Sequence, residues 1–393
     1  MPVIRLEHAT SALRAVLLLG LACAPAGCGS DTTDGRVGGD AADTTDGSSD
    51  TTDGSDVSGT DTTDGSDVGG SDVGGTDTTD GSDAGADDVG ALPDPAGVRV
   101  RETWVGVSGL RDYALYTPAS PAPDGGRPVI LALHGCDQTP ESFLDGSRLE
   151  ALAEREGAIV IAPEQPVVAN PLRCWNWFVA ANQTRALGEG AQLVALMDDV
   201  ADGFDVDPSQ VHVTGISAGG SMAAILLACH PDRFASGMIV AGVPYAAAAD
   251  PATAVLVMDG GPAVDPVPLG DLAWVCGGRR DVAPRVLVVH GDADDVVNPR
   301  NGVAIIDQFA RVHDHVDDGV TGSPPVVVDV EAPRGLADAA SRWRAVDEAA
   351  PRLGLLTADG LGHAWPGGDE RYPYAVDGGP SATGWAGWWF FGR

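Results

Sequence analysis

The stretch VTGISAGGSM, residues 213–222, joins an apolar run to an alanine-rich run through one serine that stands among glycines. The apolar run predicts a buried strand, and the following residues 218–229 predict a helix. Ser217 therefore falls on the turn between the two elements. Gly215 and Gly219 leave room where side chains would clash, so this turn can be sharp. A strand, a tight turn and a helix in this order indicate an α/β protein.

Short apolar runs bounded by turn residues recur from residue 92 onward, at residues 128–135, 158–165, 211–216 and 285–292. These runs are too continuous to have a solvated face, which predicts strands that are buried on both sides, as in a parallel sheet. Two segments that precede them, TWVGVSG and RDYALYTP, predict an antiparallel hairpin at the start of the sheet.

Predicted helices alternate with these strands. Apolar residues recur at helical spacing in residues 190–203 and in residues 301–313, and the C-terminal SATGWAGWWFFGR predicts a final helix. The sequence DPSQ, residues 207–210, predicts a break before the strand that leads to the serine. We expect residues 92–393 to form one domain, in which a mostly parallel sheet carries helices on both faces.

Residues 1–28 have the pattern of an export signal. Arg5 and Arg14 precede the apolar run AVLLLGLACAPAGC, which is too short to span a bilayer as a stable anchor. The end of this run, PAGCGS, resembles a bacterial lipoprotein cleavage site with Cys28 as the acylated residue, although Cys23 is a competing candidate. We expect an extracellular or cell-surface protein, either anchored to a membrane by a lipid on Cys28 or simply secreted.

Residues 29–91 are a repetitive acidic segment. Between residues 31 and 88 there are seventeen aspartates and a single basic residue, Arg36. So few apolar side chains cannot offset the entropy of ordering, which predicts a disordered linker, and the aspartates lack the order of an EF-hand calcium loop. The whole chain has a formal net charge of −34, and the acidity extends into the predicted domain, which argues against nucleic acid as a partner.

The serine at the turn has candidate partners later in the chain. A nucleophilic serine needs a base, and the base needs an acid that orients it. HGDADDVV follows a predicted strand and offers Asp294, with Asp292 and Asp295 as alternatives, and a later apolar stretch leads to His363. The order serine, aspartate, histidine is typical of a nucleophile elbow with a catalytic triad, here Ser217, Asp294 and His363. The non-catalytic alternative is a helix-capping serine in a glycine-rich turn.

Such a triad also requires two backbone N–H donors for an oxyanion. Ala218 begins the helix after the serine, and Cys136 follows a predicted strand, so their amides are the candidates. His134 and His290 lie beside the same loops, and we interpret them as residues that brace these loops rather than as bases.

The predicted domain contains four cysteines, Cys136, Cys174, Cys229 and Cys276. Four cysteines in an exported domain predict two disulfides. Three pairings are compatible with the sequence.

Several blocks of the predicted domain resemble the secreted polyhydroxybutyrate depolymerase and feruloyl or acetylxylan esterase group of α/β hydrolases, namely LHGCDQTPESF, CWNWFVAANQTRALGEG, DPSQVHVTGISAGGSMAA, HPDRFASGMIVAGVPYAAA, HGDADDVV and GHAWPGG. The resemblance extends over nearly all of residues 98–393. It implies the α/β-hydrolase fold, with Ser217 as the nucleophile, Asp294 as the acid and His363 as the general base.

The same resemblance implies that the amides of Cys136 and Ala218 bind the oxyanion and that Cys136 is bridged to Cys174. Cys229 and Cys276 would then form the second bridge. The implied reaction is hydrolysis of a carboxylic ester through an acyl-enzyme, for which no metal or organic cofactor is expected.

The resemblance implies, as substrate, a polyester of the polyhydroxybutyrate type or its oligomers, or alternatively a feruloyl or acetylxylan ester of a plant polysaccharide. Trp175, Trp177 and Trp365 are candidates to line the substrate cleft. A non-enzymatic alternative is a surface-tethered binding protein that keeps the fold without turnover.

A run of histidines and aspartates at residues 313–318 resembles part of a binuclear zinc motif. Its last position is Asp318 rather than histidine, and the run follows a predicted helix rather than a strand. We therefore interpret it as a solvated helix end.

Overall fold

A ten-stranded sheet is the centre of the part of the chain that the computed structural model describes, which is residues 92–317, 322–333, 335–336, 338, 341–346 and 350–392. The predicted leader, the acidic linker, Cys28 and Asp318 lie outside these residues. In chain order the sheet strands are β1 (Val98–Gly106), β2 (Gly109–Thr117), β3 (Arg127–Leu133), β4 (Ile159–Pro163), β5 (Val206–Ile216), β6 (Ser236–Val240), β7 (Arg285–Gly291), β8 (Val328–Asp329), β9 (Ser341–Val346) and β10 (Leu353–Ala358).

Helices connect these strands, and a separate two-stranded ribbon lies near the C-terminus. The helices are α1 (Pro140–Ser147), α2 (Leu149–Glu156), α3 (Gly188–Ala201), α4 (Ala218–Cys229), α5 (Pro251–Gly260), α6 (Pro266–Cys276), α7 (Arg300–Val316) and α8 (Ala382–Phe391). A short 3₁₀ turn spans Ala180–Asn182, and the ribbon consists of β11 (Trp365–Pro366) and β12 (Ala375–Val376).

The sheet is mostly parallel, as predicted. Its strand order is β1-β2-β4-β3-β5-β6-β7-β10-β9-β8, and all neighbours from β4 to β10 run parallel. The predicted hairpin of β1 and β2 is antiparallel and pairs with β4, and β8 and β9 form the opposite antiparallel edge. Parallel neighbours end at the same edge of a sheet, so the loops after β3, β5, β7 and β10 meet there.

Both faces of the sheet are covered, which explains the continuous apolar runs. In β3, Val129, Leu131 and Leu133 belong to the core cluster beneath α3, α4 and α7, whereas Ile130 and Ala132 belong to the cluster beneath α1, α2 and α8. All five side chains are fully buried. Alternate residues therefore pack on opposite helical layers, and no position of the strand is left for a polar side chain.

The structure differs from the sequence-based prediction at two points. The predicted break at residues 207–210 lies within β5, whose pairing with β3 shifts register there through an irregularity. Three of the helices that periodicity did not predict, α1, α5 and α6, begin at a proline that follows a capping side chain, and the pairs are Thr139 with Pro140, Asp250 with Pro251 and Asp265 with Pro266. Cap and proline were the available signals, because α5 and α6 have weak periodicity and α1 is only eight residues long.

The histidine-rich run lies at the end of α7, as expected, but the expected solvation is wrong for His313 and Asp314, which are both buried. His313 Nε2 hydrogen bonds with the carbonyl of Pro284, and His315 Nε2 bonds with Asp271. Among the described residues, no group of three or more side chains is arranged to hold a metal ion. No helix in the described part of the chain has the length and apolar character needed to cross a bilayer.

Two disulfides connect the cysteines of the described residues, one in the pairing that the family resemblance implies and the other between the two cysteines that remain. Cys136 is bonded to Cys174, which joins the loop after β3 to the long loop after β4. Cys229 is bonded to Cys276, which joins the ends of α4 and α6.

Replacing Cys229 and Cys276 together by serine is expected to lower the free energy of unfolding by about 2–4 kcal/mol, because the bridge closes a long loop in the unfolded chain. Urea unfolding of the variant and the wild type measures this difference. A reductant should lower the stability of the wild type further than that of the variant, since only the wild type has this bridge to lose. An unchanged unfolding midpoint in the variant would contradict the expectation.

Candidate active site

Three predicted site residues follow strands that end at the same edge of the sheet. Ser217 follows β5, Asp294 lies after β7 and His363 lies after β10. In the sheet, β5, β6, β7 and β10 are consecutive neighbours. The amide of Ser217 donates to the carbonyl of Val240 (2.9 Å) at the end of β6, so its position relative to the neighbouring strand is fixed by a backbone hydrogen bond.

Ser217 occupies a sharp turn with unusual backbone angles. Its φ is 58° and its ψ is −119°, a conformation that costs a non-glycine residue about 1–3 kcal/mol. Close backbone approach makes the turn possible, since a Cβ on Gly219 would lie 2.1 Å from the carbonyl oxygen of Leu133 and one on Gly215 would lie 2.6 Å from that atom. The glycines therefore let α4 pack directly against the ends of β3 and β5.

Asp294 and His363 form a buried hydrogen-bonded pair. His363 Nδ1 lies 2.8 Å from Asp294 Oδ2, and both side chains are almost completely buried. Asp294 Oδ1 accepts hydrogen bonds from the amides of Val296 (2.9 Å) and Val297 (2.8 Å). Burial by itself would raise the pKa of Asp294, but His363 and the N–H of His290 outweigh it and hold that pKa well below its usual value. Asp294 is thus an ionised acceptor.

The other nitrogen of His363 is available for proton transfer. An ionised carboxylate only accepts, so Nδ1 of His363 carries the proton that it shares with Asp294. In the neutral imidazole, Nε2 is then an acceptor, and within the described part of the chain this buried atom has no hydrogen-bond partner. An imidazole in this state can take a proton from a nearby hydroxyl.

The neighbouring aspartates of the loop do not share this environment. Asp292 accepts from the amide of Gly360 and pairs with Arg342 (3.1 Å), and both Asp292 and Asp295 are exposed. Asp294 is the buried member of the three and the one hydrogen bonded to His363.

A small apolar pocket lies beside Ser217. Its free volume is about 10 Å³, close to the space of a single water. Cys136 and Ala218 line it together with side chains that include Trp177, Met258 and Val297. The pocket therefore brings together the serine, both candidate oxyanion amides and Val297, whose own amide donates to Asp294.

The two amides are held by different means. Ala218 is the first residue of α4, and the first N–H groups of a helix have no carbonyl acceptor within the helix. Cys136 is held by its disulfide to Cys174, and the next amide, that of Asp137, donates to the carbonyl of Leu172 (2.7 Å). Cys136 and Ala218 thus stay the candidates for the two N–H groups that would stabilise a negative oxygen beside Ser217.

The three tryptophans that were expected to line a substrate cleft lie in different environments. Trp175 and Trp365 are 0% and 1% exposed, and their indole N–H groups donate to the carbonyl of His134 and to Thr383. They belong to the core, which corrects the expectation that they line the cleft. A fully buried indole whose N–H already has an acceptor has no surface left to contact a substrate. Trp177 lines the pocket beside the serine.

The two histidines interpreted as braces have different roles. His134 Nε2 accepts from the amide of Gln165 (3.0 Å) and its ring is fully buried, which supports the interpretation for the loop after β3. His290 Nε2 lies 2.8 Å from the carbonyl of Val297 and 3.3 Å from Asp294 Oδ2. Sequence reasoning missed this contact with the acid.

Comparisons with known proteins agree with this architecture. The chain is 32% identical over 241 residues to a protein named poly(3-hydroxyalkanoate) depolymerase C from Paucimonas lemoignei, which corresponds to 61% of this chain and 55% of that protein. It is 32% identical over 194 residues to feruloyl esterase B from Neurospora crassa, or 47% of this chain and 64% of that protein. The chain thus spans between about half and two thirds of the length of these relatives.

Solved structures identify the fold. Acetyl xylan esterase from Aspergillus awamori superposes with a TM-score of 0.58 at 23% identity, over 68% of this chain and 94% of that chain, which shows a shared α/β-hydrolase fold. The sequence model described as esterase PHB depolymerase matches residues 111–324, more than half of the chain. With its sheet order, its turn at Ser217 and this match, the chain belongs to the esterase PHB depolymerase family.

Proposed function

We propose that the protein is a serine esterase that hydrolyses carboxylic esters through Ser217, His363 and Asp294. The observation that carries the proposal is the buried hydrogen bond between His363 and Asp294, at the sheet edge where Ser217 stands on its strained turn. A constellation of nucleophile, base and orienting acid in this chain order is typical of α/β hydrolases. The esterase and depolymerase names of the curated relatives support the same reaction class.

In the proposed mechanism, His363 Nε2 accepts the Ser217 proton as the hydroxyl oxygen attacks the ester carbonyl. The amides of Cys136 and Ala218 stabilise the resulting oxyanion. His363 then returns the proton to the leaving alcohol, which gives an acyl-enzyme. Water repeats the sequence on the acyl group, while Asp294 keeps the imidazole in the tautomer that leaves Nε2 unprotonated.

The proposed substrate is a polyester of the polyhydroxybutyrate type or its oligomers. The family match and the depolymerase among the relatives support this class. The pocket beside Ser217 supports it as well, because its walls are apolar.

The alternative substrates are feruloyl or acetylxylan esters of plant polysaccharides, since relatives with both names match the chain. The alternative of another class is a surface-tethered binding protein without turnover.

We further propose that the protein is exported, with residues 1–28 as the signal, residues 29–91 as a linker and residues 92–393 as the catalytic domain. The two disulfides support an oxidising compartment. Acylation of Cys28 is part of this proposal, and mass spectrometry of the mature N-terminus tests it directly, since a lipid on Cys28 and a free N-terminus differ in mass.

One experiment separates the proposed functions. A fluorophosphonate probe should label the wild type, and peptide mapping should place the label on Ser217. The labelled preparation and an untreated one are then compared on polyhydroxybutyrate oligomers, acetylated xylan and methyl ferulate. We expect the fastest hydrolysis on the oligomers and loss of all hydrolysis after labelling.

Faster turnover of acetylated xylan or methyl ferulate would favour the alternative substrates. A wild type that is neither labelled nor active on any of these esters would favour the binding protein and contradict the esterase proposal.

A further inference from the structure

His290 stands directly behind the acid of the candidate triad. It is the residue before the last of β7, and its side chain is 1% exposed, as buried as that of Asp294. Its Nε2 atom lies between two oxygens, the Val297 carbonyl at 2.8 Å and Asp294 Oδ2 at 3.3 Å. A carbonyl oxygen only accepts, so Nε2 must carry a proton, which it donates to the Val297 carbonyl, and the carboxylate of Asp294 lies within electrostatic reach of the same N–H.

The carboxylate of Asp294 therefore has donors on both oxygens. Oδ1 receives the amides of Val296 and Val297, and Oδ2 receives His363 Nδ1 and lies 3.3 Å from His290 Nε2. A carboxylate that is held on both oxygens cannot rotate without breaking a bond. The hydrogen bond to His363 then has a fixed direction.

The other side of the His290 ring is held by close packing. A Cβ added to Gly302 of α7 would lie 2.9 Å from His290 Nδ1, so a larger residue at position 302 would push the imidazole out of place. Within the described residues, Nδ1 has no hydrogen-bond partner. The ring is thus positioned by the α7 backbone on one side and by its N–H on the other.

We propose that His290 is a positioning residue, which holds the Asp294 carboxylate and the Val297 carbonyl through one N–H and so sets how strongly Asp294 accepts the proton of His363. This inference rests on the proposed triad. His290 does not touch the substrate in this scheme; it acts through Asp294 on His363 and through Val297 on the wall of the pocket.

The sign of the effect follows from electrostatics. An N–H that points at a carboxylate stabilises its negative charge and lowers its attraction for a second proton donor. Removal of the His290 donor should make Asp294 a stronger acceptor and stabilise the protonated form of His363. The titration midpoint of His363 measured in the variant should then lie above that of the wild type.

Other titratable and charged side chains lie near His363 and His290, and they must stay unchanged in the test. The ring of Tyr374 meets that of His363 edge-on, with centroids 5.9 Å apart. An open cavity of about 420 Å³ reaches His290 from the α7 side, and its charged lining residues are Asp292, Arg300, Asp329, Arg342 and Arg344.

The test compares two replacements of His290. His290→Phe fills the space and removes the donor, whereas His290→Gln keeps an N–H at the end of the side chain. Both are made in the full-length protein, alone and together with Ser217→Ala, and the imidazole of His363 is titrated by ¹⁵N NMR in the Ser217→Ala background. This measurement does not depend on turnover, so failure of the proposed function and failure of this inference are distinguishable.

His313→Phe is the matched control. His313 is also buried, and its Nε2 bonds with a backbone carbonyl, that of Pro284, but the site residues are not among its hydrogen-bond partners in the described structure. This variant loses the same kind of interaction at the C-terminal part of α7. Its unfolding midpoint should fall as much as that of His290→Phe, without a change in the titration of His363.

We expect His290→Phe to raise the titration midpoint of His363 and to lower kcat about tenfold with KM nearly unchanged, and His290→Gln to restore both. Equal behaviour of the Phe and Gln variants, or a His363 midpoint that is the same as in the His313→Phe control, would overturn the inference. So would a fall in kcat that only follows the loss of stability.

Discussion

Ser217→Ala is expected to lower kcat for p-nitrophenyl acetate by about a millionfold, to the level that binding and oxyanion donors alone can support. The reason is local: without the hydroxyl no acyl-enzyme forms, while the buried pair of His363 and Asp294 stays intact. The folded state should be kept, because the Ser217 side chain does not supply the helix cap and its backbone amide still donates to Val240.

Ser209→Ala is the matched control for this substitution. Ser209 lies at the other end of the same strand, β5, is exposed, and bonds only with Asp207 among the described residues. Its replacement should change kcat by less than twofold. Initial rates and circular dichroism spectra of the two variants are measured together. Substantial turnover by Ser217→Ala at wild-type stability would show that the ester is cleaved by another group.

Asp294→Asn is expected to lower kcat about ten-thousandfold, with a small effect on KM. An asparagine amide in the place of Oδ2 would donate to His363 Nδ1 and move the imidazole proton to Nε2. Nε2 could then no longer accept the Ser217 proton. The loss therefore arises from the wrong tautomer rather than from a missing contact, since asparagine has nearly the same shape as aspartate.

Asp292→Asn tests the same chemical change two residues away. Asp292 is exposed and pairs with Arg342 and the amide of Gly360, so its replacement should leave kcat within a few-fold of the wild type. Steady-state kinetics over a range of pH compare both variants. A larger loss of kcat for Asp292→Asn than for Asp294→Asn would show that Asp292, and not Asp294, is the orienting acid.

The strands β3, β4, β5 and β7 and the turn at Ser217 could be predicted because one local signal decides each of them, whereas β6, β8 and β9 were not predicted. A strand buried on both faces has a continuous apolar run, and the turn requires small residues where backbones approach to within contact distance, as at Gly219. Parallel strands end at one edge, so the chain order of serine, aspartate and histidine was enough to nominate the candidate site.

Other features could not be read in this way because they depend on contacts between distant residues. Trp175 and Trp177 are two positions apart, yet one is a core residue bonded to the carbonyl of His134 and the other lines the pocket. Both residues are tryptophans, and only the path of the loop decides which of them is buried in the core and which lines the pocket. The contact of His290 with Asp294 likewise arises from the geometry of a turn, which periodicity does not encode.

The bond between Cys136 and Cys174 ties the loop that carries one oxyanion amide to the loop that carries Trp177. One covalent bond therefore connects the residue with the candidate oxyanion amide to the loop that forms part of the apolar wall of the same pocket. In the proposed esterase, the candidate oxyanion amide and the wall of the pocket would therefore be fixed together only once Cys136 and Cys174 are oxidised to this disulfide.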